Sequence, residues 1–385
     1  MLKSLILTGD RTSFLRVPIN IHIYKEEIMK KRIVTLVLGM SMVMGAIGCG
    51  NADASGNETA SGNAESTSAS IEEEEVPETA DVPEEKGYEA VTIDNYDLTT
   101  EYDKKPENVV CLSLNSAEII AALGEADSIV AIQTGNNNIE DVLPELYEEL
   151  KDVEIPDTIN TGMPPTLEAM LDIKPDFVAM NGYYFFVPFF GTVEDYQNND
   201  VKLYVTEGSY VDNCTIENTY NDIKNLGSIF GQSEKAEELI SDMKDRFASV
   251  EETVKDAEKV SVMAFDSISE DGLYTVAGGS GLEQQLFDMA GADNIFSDVE
   301  SDFSTVSIEE IVARNPEYII IHAYTCNEDD AQLKIEALKA QAELADVDAI
   351  KNDNFIIVNM VQVTPGLQNV DFVETVAMAI HKDLF

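Results

Sequence analysis

Residues 166–178, TLEAMLDIKPDFV, and residues 307–319, SIEEIVARNPEYI, match position for position. Each copy opens on a hydroxyl residue suited to capping a helix, Thr166 or Ser307. A short amphipathic stretch follows, then a proline that stops it (Pro175, Pro316), then large apolar residues that read as a buried strand. In the second copy Ser307 and Glu310 also have capping-box spacing. A looser echo precedes each copy: residues 118–130, EIIAALGEADSIV, and residues 283–296, EQQLFDMAGADNIF. Two copies are too few for a solenoid. The repeat predicts two related α/β lobes.

Working upstream, residues 109–114 (VVCLSL) read as a buried strand. Residues 117–123 read as a helix ended by Gly124, and residues 127–132 as another strand. Strand and helix alternate from there to the C-terminus, which predicts mainly parallel sheets. Between the lobes, Ala236, Leu239, Ile240, Met243, Phe247, Val250 and Val254 follow helical spacing, with Ser233 as the expected cap. No Gly or Pro interrupts residues 233–259. A helix of about 24 residues would span roughly 36 Å, the length of a rigid strut. The expected organisation is an N-terminal lobe over 91–232, a connecting helix over 233–257 and a C-terminal lobe over 258–385.

The first 90 residues are of another kind. Met29-Lys30-Lys31-Arg32 is a basic start, 33–47 is a short apolar run, and Gly48-Cys49 closes it with small residues. A bilayer span needs about 20 apolar residues, so a cleaved secretory signal over 1–48, with Met29 as the start, fits better. Ala46-Ile47-Gly48-Cys49 resembles a lipobox, with Cys49 as the acylated residue. Residues 50–89 are rich in Ser, Gly, Asn, Ala, Glu and Thr, cannot bury a core, and read as a disordered acidic tether.

The whole chain of 385 residues carries a formal charge of −49. A residue count leaves −42 on the part beyond Ala90. Such a surface argues against nucleic acid and against anionic lipid as partners. Cys111, Cys214 and Cys326 are scattered and without metal-ligand spacing, so they read as buried or half-buried small residues and imply no disulfide framework.

Several segments together resemble the siderophore, haem and cobalamin group of ABC-transporter substrate-binding proteins. They are KPENVVCLSLNSAEIIAALGEADSIVAI (105–132), TLEAMLDIKPDFVAM (166–180), IKNLGSIFGQSEKAEELISDM (223–243), VAGGSGLEQQLFDMAGADNIF (276–296), SIEEIVARNPEYIII (307–321) and AIKNDNFIIVNM (349–360). The resemblance implies two Rossmann-like lobes joined by one long helix, with the ligand in the cleft between them. It implies a binding protein without catalytic residues, working as a monomer with an ABC permease and its ATPase. It also implies one surface carboxylate per lobe that meets arginines of the permease. Glu168 and Glu309, equivalent in the two repeat copies, hold those positions. An ordinary alternative is helix-dipole stabilisation, because both lie in a first helical turn.

The expected cleft loops follow the strand ends: 113–117, 133–138, 162–165, 181–195, 207–213, 266–281, 322–330 and 361–369. None contains Lys or Arg, and Arg246 and Arg314 are the only arginines beyond residue 90. A trianionic catecholate or citrate chelate would lack cationic partners there. A neutral or cationic iron or cobalt chelate, such as a ferric hydroxamate or a corrinoid, meets the condition, and haem with its two propionates meets it poorly. Tyr183, Tyr184 and Phe185 in an aromatic, proline-broken loop, with Tyr210, Tyr274 and Tyr324, offer apolar faces with polar tips for such a ligand. His322 is a further candidate contact and His381 an expected surface residue. Two histidines beyond residue 90 exclude a multi-histidine metal site. Gly278-Gly279-Ser280-Gly281 offers backbone amides to a ligand oxygen, or simply a tight turn. No nucleophile–His–acid set or complete cofactor fingerprint marks an enzyme. Haem binding, or a surface scavenger or sensor without its own permease, is the alternative on the same fold.

Overall fold

A computed structural model describes residues 88–385; the expected signal, Cys49 and nearly all of the expected tether lie outside the described residues. Strands β1 (Val91–Asn95) and β2 (Leu98–Tyr102) form an antiparallel hairpin. Four strands follow: β3 (Val109–Cys111), β4 (Ile129–Ile132), β5 (Phe177–Met180) and β6 (Lys202–Val205). They pair in the order β4-β3-β5-β6, all parallel. Their nearly unbroken apolar runs suit a sheet buried on both faces.

The second sheet is built from β7 (Val260–Ile268), β8 (Tyr274–Ala277), β9 (Ala292–Asn294), β10 (Phe303–Val306), β11 (Tyr318–Ala323) and β12 (Phe355–Asn359). Its order is β10-β8-β7-β11-β12, with β9 also pairing β7. β7, β9, β11 and β12 pair in parallel, whereas β8 pairs antiparallel with both β7 and β10, so β8 alone runs against the other five. The expectation of mainly parallel sheets therefore meets an antiparallel edge. The turn after β7, closed by the Ser269 N–H on the Leu273 carbonyl (2.8 Å), leaves no room for a crossover helix.

The repeat copies fold alike because the same local chemistry acts twice. Thr166 caps the helix Leu167–Ile173 by accepting from the Ala169 N–H at 3.2 Å. Ser307 caps Ile308–Arg314 by accepting from the Glu310 N–H at 3.3 Å, and the Glu310 carboxylate accepts from the Ser307 N–H at 2.9 Å. Both helices end on a left-handed residue, Lys174 (φ 59°) or Asn315 (φ 46°), just before the proline. β5 and β11 then start.

The connecting helix runs Ser233–Val254, or about 33 Å at 1.5 Å per residue. Ser233 is its first helical residue rather than its cap. Gln232 holds the cap position, and its side chain is spent on Glu125 at 2.6 Å.

The apolar packing explains how the lobes are joined. Each sheet has one face with a private core, around Met170, Phe190 and Tyr196 in the first lobe and around Phe265, Phe296 and Ile319 in the second. The other faces share one continuous core that also takes in Ala236, Met243, Phe247, Val250 and Val254 of the connecting helix. Arg246 reinforces that junction. Its guanidinium holds Glu374 with two bonds (2.9 and 2.7 Å) and Asp371 with a third (2.5 Å), fastening the C-terminal helix Asn369–Ile380 to the strut. A shared core of this kind resists wide hinge motion, because opening it would expose apolar area to water.

Two local expectations are corrected here, and one open alternative is decided. His381 is buried, with Nε2 3.2 Å from the Gly291 carbonyl, because the C-terminal helix folds back onto the second lobe. Cys326 is exposed on a loop, whereas Cys111 and Cys214 are buried as expected. The amides of Gly278, Gly279 and Ser280 are taken by the carbonyls of Asp302, Val299 and Ser301, so the glycine-rich segment is a tight turn. A Cβ on Gly279 would lie 2.0 Å from the Ser297 carbonyl oxygen.

Candidate functional site

Loops at the strand ends of the two sheets meet along a polar seam. Asn115 donates to the carbonyls of Val361 (2.9 Å) and Thr364 (3.3 Å), and the Thr364 hydroxyl donates back at 2.9 Å. Asn138 donates its side-chain amide to the Thr325 carbonyl at 2.6 Å, and the Cys326 N–H donates to the Asn136 carbonyl at 3.2 Å. Asp141 is a hub, accepting from Asn359 (2.9 Å), the Asn138 N–H (2.7 Å) and the Thr325 hydroxyl. The lobes approach so closely that a Cβ on Gly208 would sit 2.2 Å from Pro365 Cγ. The sequence grouped 113–117, 133–138, 207–213, 322–330 and 361–369 as facing loops, and the structure brings these five together.

The aromatic side chains divide. Tyr184 is buried: its hydroxyl bonds the Gln133 side chain and the Leu112 carbonyl, and its ring packs on Phe190 at 5.4 Å. Tyr274 is buried against Phe265 in the second lobe's private core. His322 is fully buried on β11, with Nε2 2.8 Å from Glu283 Oε1. These three cannot offer a side chain to a ligand as placed. Each has an internal partner that local sequence could not reveal: Gln133, Phe265 and Glu283.

Tyr183, Phe185, Tyr210 and Tyr324 are half-buried and retain exposed surface. Phe185 stacks on Tyr96 (5.3 Å), and Tyr210 meets Tyr96 edge-on (5.1 Å) while its hydroxyl accepts from the Tyr96 N–H at 3.2 Å. Tyr96 itself escaped the sequence reading. It sits at the tip of the β1–β2 hairpin with φ 56°, followed by Asp97 at 60°, a conformation usually left to Gly or Asn. The ring contacts with Phe185 and Tyr210 hold it there. Met163 (50 % exposed) and Phe189 (49 %) also lie on expected cleft loops, and Phe303 (47 %) lies beside the His322 ring. Large apolar groups this exposed on expected cleft loops suit a bulky ligand with apolar surface.

The electrostatics of the second lobe need one addition. The facing loops carry no Lys or Arg, but Lys334 on the helix Asp330–Lys339 reaches back to them. Its ammonium is saturated by the His322 carbonyl (2.6 Å), the Asp330 carboxylate (2.8 Å) and the Tyr324 ring (3.9 Å to centroid). Burial by itself pushes the His322 ring toward its neutral form. The Glu283 and Asp266 carboxylates outweigh that, so its pKa is raised above the ordinary value. Lys334 is thus matched by Asp330, and His322 lies between the Glu283 and Asp266 carboxylates, so neither offers unpaired positive charge to an anionic ligand.

Glu168 and Glu309 are exposed in the first turns of the two equivalent helices. Glu310, not Glu309, completes the capping box, so the outward glutamate of each copy is not used by its own helix. Among the described residues no group of three or more His, Cys, Asp or Glu side chains is arranged to hold a metal ion.

The sequence matches the periplasmic binding protein family over residues 109–359. It is 22% identical over 223 residues to a vitamin B12-binding protein of Vibrio parahaemolyticus, covering 58% of this chain and 73% of the relative. It is 25% identical over 302 residues to YvrC of Bacillus subtilis, an uncharacterized ABC transporter substrate-binding lipoprotein, covering 77% of this chain and 87% of that one. Among solved structures, a periplasmic binding protein from Veillonella parvula superposes with a TM-score of 0.66 at 27% identity, over 76% of this chain and 98% of that one. A protein of an ABC-type Fe3+-hydroxamate transport system from Saccharomonospora viridis superposes with a TM-score of 0.60 at 19% identity, over 75% and 98%, which speaks for the fold alone. The two α/β lobes, the strut helix and the match over residues 109–359 make this chain a member of the periplasmic binding protein family, the extracytoplasmic solute-binding proteins of ABC importers.

Proposed function

We propose that the protein is a lipoprotein, anchored through Cys49 to the outer face of the cytoplasmic membrane. It captures a bulky neutral or cationic metal chelate and delivers it to an ABC permease and its ATPase. The observation that carries the ligand class is the charge of the facing loops. They hold no Lys or Arg, and Lys334, which reaches them from the helix behind, is saturated. An anionic catecholate chelate would lose hydration there without gaining charge-assisted bonds. Ferric hydroxamates and corrinoids avoid that cost, and the half-exposed Tyr183, Phe185, Tyr210 and Tyr324 suit their mixed surfaces. The vitamin B12-binding relatives support the corrinoid class. Docking falls to Glu168 and Glu309. The protein acts as a monomer and has no catalytic residue in this reading.

Deletion of the protein should abolish saturable cellular uptake of either a radiolabelled ferric hydroxamate or a radiolabelled corrinoid. Undiminished uptake of both in the deletion strain would overturn the reading.

A further inference from the structure

Tyr324 is held from every side. Its hydroxyl donates to Asp266 Oδ1 at 2.7 Å, and its main-chain N–H donates to Asp330 Oδ2 at 2.9 Å. Lys334 covers its ring at 3.9 Å and is itself fixed by Asp330 and the His322 carbonyl. Behind Asp266 lies a second layer. His322 Nδ1 is 3.9 Å from Asp266 Oδ1, and His322 Nε2 is 2.8 Å from Glu283 Oε1. His322 is fully buried and Glu283 nearly so, and the buried Nδ1 and Glu283 Oε2 atoms have no hydrogen-bond partner in the protein.

The fold does not require this arrangement. A buried ionic pair is weak as a stabiliser, and an apolar pair of similar volume usually holds a core as well or better. Leaving two buried polar atoms unpaired adds to the cost. The neighbouring positions of β11 show the alternative: Ile319, Ile320 and Ile321 are fully buried aliphatics. The polar pair stands only where the strand ends, directly behind the carboxylate that holds the half-exposed tyrosine.

We propose that Glu283 and His322 are positioning residues: Glu283 holds the His322 ring, whose Nδ1 edge faces the Asp266 carboxylate across 3.9 Å and orients it, and through it the Tyr324 hydroxyl, on the second lobe's wall of the ligand site. A hydroxyl whose proton is held by a carboxylate acts toward any further group only as an acceptor. Tyr324 therefore anchors a ligand edge that donates a hydrogen bond or carries positive charge, such as an amide N–H or an ammonium. This rests on reading the facing loops as the ligand site and sharpens it from a neutral or cationic chelate to one with a donor edge.

The test pairs a readout that needs no ligand with one that does. Ring-carbon NMR of 13C-tyrosine protein, with Tyr324 assigned by its loss in Tyr324→Phe, reports the hydroxyl environment. Calorimetry with ferrioxamine B, a ferric hydroxamate carrying an ammonium, reports affinity. In the apolar double variant Glu283→Leu/His322→Leu, and in the milder Glu283→Gln, the Tyr324 Cζ resonance should move. The Kd should rise by about tenfold or more, while the unfolding midpoint of the double variant stays at or above wild type. If the double variant does not fold, Glu283→Gln carries the same comparison. An unmoved Tyr324 resonance in the folded variants would overturn the positioning role, as would an unchanged Kd. A moved resonance in a protein that never binds ferrioxamine B would support the positioning and count against the proposed ligand instead.

Discussion

Reversing both docking carboxylates, Glu168→Lys with Glu309→Lys, is expected to lower ligand-dependent uptake by about 100-fold or more while leaving ligand affinity unchanged. Truncating one member of a buried, charge-paired contact costs about 2–5 kcal/mol, and reversal adds repulsion. Both side chains are exposed, and equivalent caps present them at the same point of equivalent helices. That is what two-point docking of a two-lobed protein requires. The folded state should tolerate the change, since a glutamate in a first helical turn contributes only about 0.3–1 kcal/mol through the helix dipole. Glu310→Lys is the control. Glu310 is committed to the Ser307 cap, so its loss should lower stability and leave uptake of bound ligand nearly intact. Uptake that survives the double reversal would leave helix-dipole stabilisation as the role of both glutamates.

The second large effect is on stability, which should fall as pH rises from about 5 to 8 and beyond. Glu118 is fully buried where the lobes meet. Its Oε1 accepts from the Leu143 N–H and from Gln368 of the second lobe, both at 2.6 Å, while Oε2 has no partner. Burial raises its pKa from 4.5 to about 8, against the two hydrogen bonds that lower it, and Asp371 and Glu145 push the same way as burial. The folded state therefore holds a proton that the unfolded chain releases above its ordinary carboxylate pKa. The contribution is fully present below pH 4.5 and is lost as pH climbs through about 8. A shift of that size corresponds to on the order of 4 kcal/mol. Asp222, fully buried and bonded to Tyr204 (2.6 Å), is likewise raised to about 8 by burial. Glu118→Gln keeps the acceptor and removes the titration, so urea unfolding at pH 5, 6.5 and 8 should show a flatter profile with a residual slope from Asp222. A wild-type protein more stable at pH 8 than at pH 5 would contradict this account of Glu118.

What could be read from sequence followed the range of the forces involved. The caps at Thr166 and Ser307 and the stops at Pro175 and Pro316 are local, so both repeat helices and strands were legible. The strut was legible from its apolar spacing, but its cap was not, because Gln232 is drawn to Glu125, more than 100 residues away. The β1–β2 hairpin escaped because its turn is Tyr96-Asp97, with none of the Asn-Gly chemistry that marks such turns. In the candidate site the structure leaves Tyr183, Phe185, Tyr210 and Tyr324 with exposed surface and turns the other named residues inward. Tyr184, Tyr274 and His322 were credible ligand contacts, but Gln133, Phe265 and Glu283 take them inward. The charge argument does not depend on orientation, because Lys and Arg are absent from all eight loops whichever way a side chain turns. Lys334 is the qualification: a helix outside those loops returned a cation to them, together with the Asp330 carboxylate that neutralises it.

The most direct test of the central claim is a calorimetric panel on the protein with ferrioxamine B, a corrinoid, haem and a ferric tris-catecholate. The account predicts tight binding of the hydroxamate or the corrinoid, and no measurable binding of the trianionic catecholate. Tight catecholate binding with neither of the other two would contradict it.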